Sequence, residues 1–183
     1  TNNFTSATVL SPQAPRDADL PDLGYHYDPI DYVVSGRTVS ANLTLTGGVT
    51  LGTYGVASTF GLRLNSGSFV SEGSPTRLNW IVRYNTVQEQ STTNWSATSV
   101  AGGVRRESSS ANVSTRFTGW SMLGNIGDHF NDATDASNPA AFSHSRFCGG
   151  KFTVDTGSIA LTNCLWERVY VTVKSDTDDV PWY

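Results

Sequence analysis

Between Val39 and Leu51 the chain reads V-S-A-N-L-T-L-T-G-G-V-T-L, and apolar residues alternate with small polar ones. Val39, Ala41, Leu43, Leu45, Val49 and Leu51 hold the odd positions, and Ser40, Asn42, Thr44, Thr46 and Thr50 the even ones. Successive side chains of a strand point to opposite faces, so this period of two buries one side and wets the other. Gly47-Gly48 bends the chain without ending the alternation. The pattern returns at Phe60, Leu62 and Leu64, and again near the C-terminus. Such spacing predicts a coiled stack of short strands. No window of ten or more residues shows the i, i+3, i+4 apolar spacing of an amphipathic helix, so very little helix is expected.

The 183 residues suffice for one sizeable core, and one domain is expected. Charged residues make up only 15%, while Gly, Ser, Thr and Asn abound, a composition that suits exposed strand faces. A net charge of −4 argues against nucleic acid or an anionic membrane as partner, because phosphate binding needs a basic surface. No apolar run approaches the length that spans a bilayer. The opening Thr-Asn-Asn, without Met or a signal-peptide core, reads as a mature or excised piece.

Residues 1–35 differ from the rest. They hold Pro12, Pro15, Pro21 and Pro29 with Asp17, Asp19, Asp22, Asp28 and Asp31, and proline at that density opposes regular strand pairing. An extended arm or cap is expected there, followed by a β-domain over 36–183. Strands are expected at Thr38–Leu45, Val49–Tyr54, Phe60–Leu64, Ser68–Ser71, within Leu78–Glu89, and at Phe117–Leu123. Polar excursions are expected near 91–115 and 124–139. In the last third, Ser145–Val154 can be laid over Leu161–Cys164 and Val169–Val173 at an offset of about sixteen to twenty residues, one turn of a β-solenoid.

The segment D-A-D-L-P-D-L-G-Y-H-Y-D-P-I-D-Y-V-V-S, followed by V-S-A-N-L-T-L-T-G-G-V, resembles a junction in large secreted bacterial proteins with right-handed parallel β-helix repeats. The phrases S-E-G-S-P-T-R-L-N-W-I-V-R-Y-N-T-V-Q-E-Q and I-A-L-T-N-C-L-W-E-R-V-Y-V are similar to the same family, so the likeness covers most of 22–173. It implies a fold and an extracellular, secreted or cell-surface setting. Most members have no assigned activity, so the resemblance carries no catalytic residues.

Candidate sites follow from residue chemistry. Asp17, Asp19 and Asp22 offer hard oxygens for calcium, the one cofactor the chain suggests; a solvated arm whose carboxylates cap turns is the competing reading. Trp80, Tyr84, Trp120 and Trp166 are candidates for stacking on sugar rings, against the alternative that they fill the core. Cys148 and Cys164 read as a disulfide or as stacked thiols. His26, between Tyr25 and Tyr27, is a candidate ligand or base against the reading of a packed ring bonded to corner backbone, and His129 and His144 lack a Ser or Cys partner for nucleophilic catalysis. The signatures of β-helix polysaccharide hydrolases are missing except Asp178-Asp179 in the terminal tail, and the rungs carry few carboxylates.

The expected fold is all-β, a right-handed parallel β-helix with an irregular N-terminal arm; a jelly-roll sandwich is the second choice. The expected function is a non-catalytic extracellular structural, adhesive or self-assembling module. A carbohydrate-binding module and a polysaccharide lyase or hydrolase domain are the alternatives. The expected partners are a second copy, engaged through the N-terminal arm, and polysaccharide.

Overall fold

The computed structural model describes residues 3–4, 30–55, 59–84, 102–121 and 128–174. A short β1 (Asn3–Phe4) precedes turns of three strands each. The first turn is β2 (Tyr32–Val34), β3 (Arg37–Val39) and β4 (Leu43–Thr46). The second is β5 (Thr50–Thr53), β6 (Phe60–Leu64) and β7 (Gly67–Glu72). The third is β8 (Asn79–Arg83), β9 (Gly102–Arg106) and β10 (Ala111–Arg116). The fourth is β11 (Thr118–Ser121), β12 (Phe130–Asp132) and β13 (Ala140–Ser143). The fifth is β14 (Arg146–Cys148), β15 (Lys151–Val154) and β16 (Ile159–Thr162), after which β17 (Leu165–Glu167) and β18 (Tyr170–Val173) begin a sixth.

Each strand pairs with its counterpart one turn away, which yields three sheets. Sheet A runs β1-β3-β6-β9-β12-β15-β18, sheet B β2-β5-β8-β11-β14-β17, and sheet C β4-β7-β10-β13-β16. All these ladders are parallel, from the first in sheet B to the last in sheet A. A parallel neighbour must be reached by a long crossover, and here the crossover is the remainder of the turn. The chain is a parallel β-helix. A jelly roll, built of antiparallel strands, is ruled out for the described residues.

Tyr32, Leu51, Ile81, Trp120, Phe147 and Trp166 form one inward column in sheet B, spaced by 19, 30, 39, 27 and 19 positions. The shortest turn is therefore nineteen residues. Longer turns keep the register and add their extra residues between strands. The column becomes aromatic as it proceeds: Trp120 stacks on Phe147 at 5.9 Å, and Phe147 on Trp166 at 4.2 Å. Phe130, Phe142 and Phe152 meet this ladder mostly edge-on, a geometry the ring quadrupoles favour.

The structure redraws several expected boundaries. Thr38–Leu45 is two strands, β3 and β4, because the alternation passes through the corner at Ser40–Asn42 and keeps its parity: Val39 and Leu45 are both buried. β2 lies inside the segment read as an arm. β12 lies inside the stretch read as an excursion at 124–139, where Phe130 is a single core anchor among polar residues.

The corner from sheet C to sheet B repeats in three turns. Phe117, His144 and Asn163 take φ of 48°, 48° and 51°, and each is followed by Thr118, Ser145 or Cys164. Those side chains donate back to the carbonyls of Arg116, Ser143 and Thr162. Asn163 is an exposed corner residue, and asparagine tolerates this left-handed backbone.

Candidate functional site: the outer face of sheet A and the open last turn

The outward ladder of sheet A runs Thr38, Arg63, Arg105, Asn131, Thr153 and Thr172. Around its centre the register gathers ionisable groups from separate turns. Asn131 donates through Nδ2 to Asp155 Oδ2 at 3.1 Å and to Asp128 Oδ2 at 3.4 Å, so one amide bridges two carboxylates. Thr153 Oγ1 donates to Asp128 Oδ1 at 2.9 Å, with Lys151 Nζ 3.6 Å from the same oxygen. Lys174 Nζ lies 2.8 Å from Asp155 Oδ1. Higher up, Glu107 accepts from Arg63 Nε at 2.7 Å and lies 3.8 Å from Arg105 Nε.

The two bridged carboxylates sit in unlike environments. Burial pushes the Asp128 carboxyl above its ordinary range, partly offset by Thr153 and Lys151. Burial would also raise Asp155, but its hydrogen bonds to Lys174 and Asn131 outweigh that and hold it below the usual range. Such asymmetry is what general acid–base chemistry uses, and a structural polar network produces it as well. Asp128 is buried, and its oxygens are bonded within the chain.

Two further polar groups lie inside the helix. Arg106 and Asp132 are register partners on the inward column Val39, Leu64, Arg106, Asp132, Val154 and Val173. Both side chains are fully buried. Arg106 donates through Nε to Asp132 Oδ1 at 3.0 Å, through Nη2 to Oδ2, and through Nη1 to the Asn138 carbonyl at 2.9 Å. Asp132 Oδ1 also accepts from the Thr134 amide and hydroxyl. His129 is buried with Nε2 2.5 Å from the Gly149 carbonyl, which makes Nε2 the protonated nitrogen. Its Nδ1 has no partner among the described residues, and burial lowers its pKa to about 4.

The predicted aromatic site divides. Trp120 is fully buried and Trp166 ends the same stack, so both belong to the core column. Trp80 and Tyr84 lie on the outer face of sheet B beside Ile30, Val33 and Val82, with Tyr84 6.1 Å from the exposed Tyr54. Trp80 rests on its register partner Gly119, where a Cβ would come within 2.3 Å of Cε3 and 2.7 Å of Cδ2. Glycine is needed there so that the indole can lie across the neighbouring strand.

Cys148 and Cys164 are not brought together. Both are free thiols; Cys148 is on the outer face of sheet B in register with Glu167, and Cys164 is a corner residue. They stand sixteen positions apart, whereas stacking would need the nineteen-residue offset of this turn, which puts Glu167 opposite Cys148. Asp17, Asp19 and Asp22 lie outside the described residues. Among the described residues, no three His, Cys, Asp or Glu side chains are grouped to hold a metal, and no helix is long and apolar enough to cross a membrane.

The last turn is a second feature of the molecule. Leu161, Val171 and Val173 are inward residues by register, yet they are 44%, 46% and 39% exposed because no described strand lies beyond β16, β17 and β18. Leu165 and Tyr170 add exposed apolar area at 57% and 69%.

Sequence reasoning missed Asn131, Lys151, Asp155 and Arg106. Thr153 lies 22 positions from Asn131 and Asp132 lies 26 from Arg106, offsets set by inserted residues. Compared with family models, curated proteins and solved structures, the chain finds no match.

Proposed function

We propose that this chain is a non-catalytic, extracellular structural or adhesive module, a rigid β-helical element of a surface assembly. The supporting observation is the last turn, whose inward residues Leu161, Val171 and Val173 are exposed among the described residues. Exposed edge strands with apolar side chains recruit further strands, which suits a protein whose work is contact with neighbours. Antibody labelling of intact source cells, compared with lysed cells, tests the setting. Signal confined to the lysed sample would sink it.

A second reading, a carbohydrate-binding module, draws on Trp80 resting on Gly119 at the outer face of sheet B. A flat, partly exposed indole suits the apolar face of a sugar ring. Glycan-array binding that falls at least tenfold in Trp80→Ala, with an unchanged thermal melt, is the expected result. Equal binding by both proteins removes this reading.

A further inference from the structure

We infer that Lys151 and Asn131 are joined by an amide bond from Nζ to Cγ, a covalent rung between the fourth and fifth turns, made with Asp128 as proton carrier. The three side chains meet on the outer face of sheet A. Thr153 stands directly opposite Asn131 across β12 and β15, and Lys151 lies two residues along on the same face. Neighbouring strands are about 4.8 Å apart and two residues span about 6.6 Å, so the Cα atoms of Lys151 and Asn131 are about 8 Å apart. A lysine and an asparagine side chain, extended toward each other, close that gap.

One carboxyl group holds both reactants. Lys151 Nζ is 3.6 Å from Asp128 Oδ1, and Asn131 Nδ2 donates to Asp128 Oδ2 at 3.4 Å. Thr153 Oγ1 donates to Oδ1 at 2.9 Å and fixes the orientation of the carboxyl. Asn131, Asp128 and Thr153 are buried, and the Lys151 side chain is 28% exposed. An amine and an amide held together by the fold react as an intramolecular pair, without the entropy cost of an encounter. Burial raises the Asp128 carboxyl above its ordinary range, which suits a group that must take up a proton and give it away.

The step balances within the chain. Asp128 takes a proton from the Lys151 ammonium, and the freed amine attacks Asn131 Cγ. The Nζ–Cγ bond forms and the Cγ–Nδ2 bond breaks. Two of the three ammonium protons pass to Nδ2 by way of Asp128, and the third stays on the new amide. The old amide nitrogen departs as ammonium, nothing is oxidised or reduced, and no co-reactant enters. Asp155 Oδ2 lies 3.1 Å from Nδ2. Despite its burial, hydrogen bonds to Lys174 and Asn131 hold Asp155 below the usual range, so it stays ionised and draws off the departing cation. Lys174 follows β18, two strands from β12, and serves as the charge partner of Asp155 rather than as the attacking amine. The bond belongs to the folded chain alone and needs no surface or partner. It fastens β12, a strand of three residues, to β15, where only Asn131–Thr153 and Asp132–Val154 stand in register.

Intact-mass spectrometry of the denatured whole chain, taken from a sample with a β-sheet circular dichroism spectrum, should show it lighter by one ammonia. Tryptic digestion should give residues 117–146 joined to residues 147–168, with no cleavage after Lys151. Lys151→Arg, which keeps the charge beside Asp128, and Asn131→Ser should each run at full sequence mass. Asp128→Ala should remain largely unlinked. A parent chain at full sequence mass overturns the inference. So does a loss of ammonia that persists in Lys151→Arg, which reports a succinimide at an asparagine. A linked peptide that carries Lys174 in place of Lys151 overturns it too, as does complete linkage in Asp128→Ala.

Discussion

His129 has a cost that depends on pH. Its pKa falls from 6.5 to about 4 because burial disfavours the imidazolium. The unfolded chain therefore takes up a proton first as the pH drops. Stability is complete above about 6.5 and is lost on descending toward 4, by about 3 kcal/mol in total. Asp128 and Asp155 are shifted in opposite directions, so the His129 contribution is cleanest between pH 5 and 6.5. Urea unfolding across that range should show the slope, and His129→Gln, which keeps a donor for Gly149, should flatten it. Arg106 and Asp132 set a different test. Asp132→Ala leaves a buried guanidinium without its anion and should cost about 3–5 kcal/mol. Arg106→Met together with Asp132→Leu should recover most of that loss in denaturant melts, as replaced buried ion pairs often do.

At the scale of strands and corners, the structure explains what could be read beforehand. β6 was legible to the residue, and β5 and β7 nearly so, because an inward column repeats its parity in every turn. The corners were not legible as corners: Ser40–Asn42 holds no proline or glycine, and the alternation passes through it unmarked. β12 was hidden because Phe130 is flanked by Asp128, His129, Asn131 and Asp132, with no apolar alternation to mark a strand. The Asn131 cluster was hidden because variable turn lengths scramble the sequence distance between neighbours in space. One corner offers a direct test. Arg168 sits at φ 53°, a conformation that costs a side-chain-bearing residue about 1–2 kcal/mol, part of which glycine returns as entropy. Arg168→Gly should therefore raise stability by about 0.5–1 kcal/mol, and Arg168→Val should lower it, in thermal melts of matched samples.

Across the whole molecule, cross-section is conserved and circumference is not. Turns of 19 to 39 residues feed the same three sheets, so length added at an outward loop is tolerated while length added at a stacked corner is not. The exposed tip between Ser74 and Arg77 is closed by its own paired hydrogen bonds. Ten Gly/Ser residues inserted between Pro75 and Thr76 should cost about 1 kcal/mol, the slow logarithmic penalty of loop closure. The same insert between Asn163 and Cys164 breaks the corner and the register of β17, and should abolish cooperative unfolding followed by circular dichroism.

The aromatic column gives the molecule a built-in optical gauge. Trp120 is sealed in the middle of the stack, whereas Trp166 closes it with one ring face turned to the end, separated from Trp120 by Phe147. In a variant with Trp80, Trp95 and Trp182 changed to Phe, a small quencher such as acrylamide should dim the terminal indole and spare the central one, and whatever covers that end should restore its emission. Occupancy of the last turn can thus be followed by light, with no label attached.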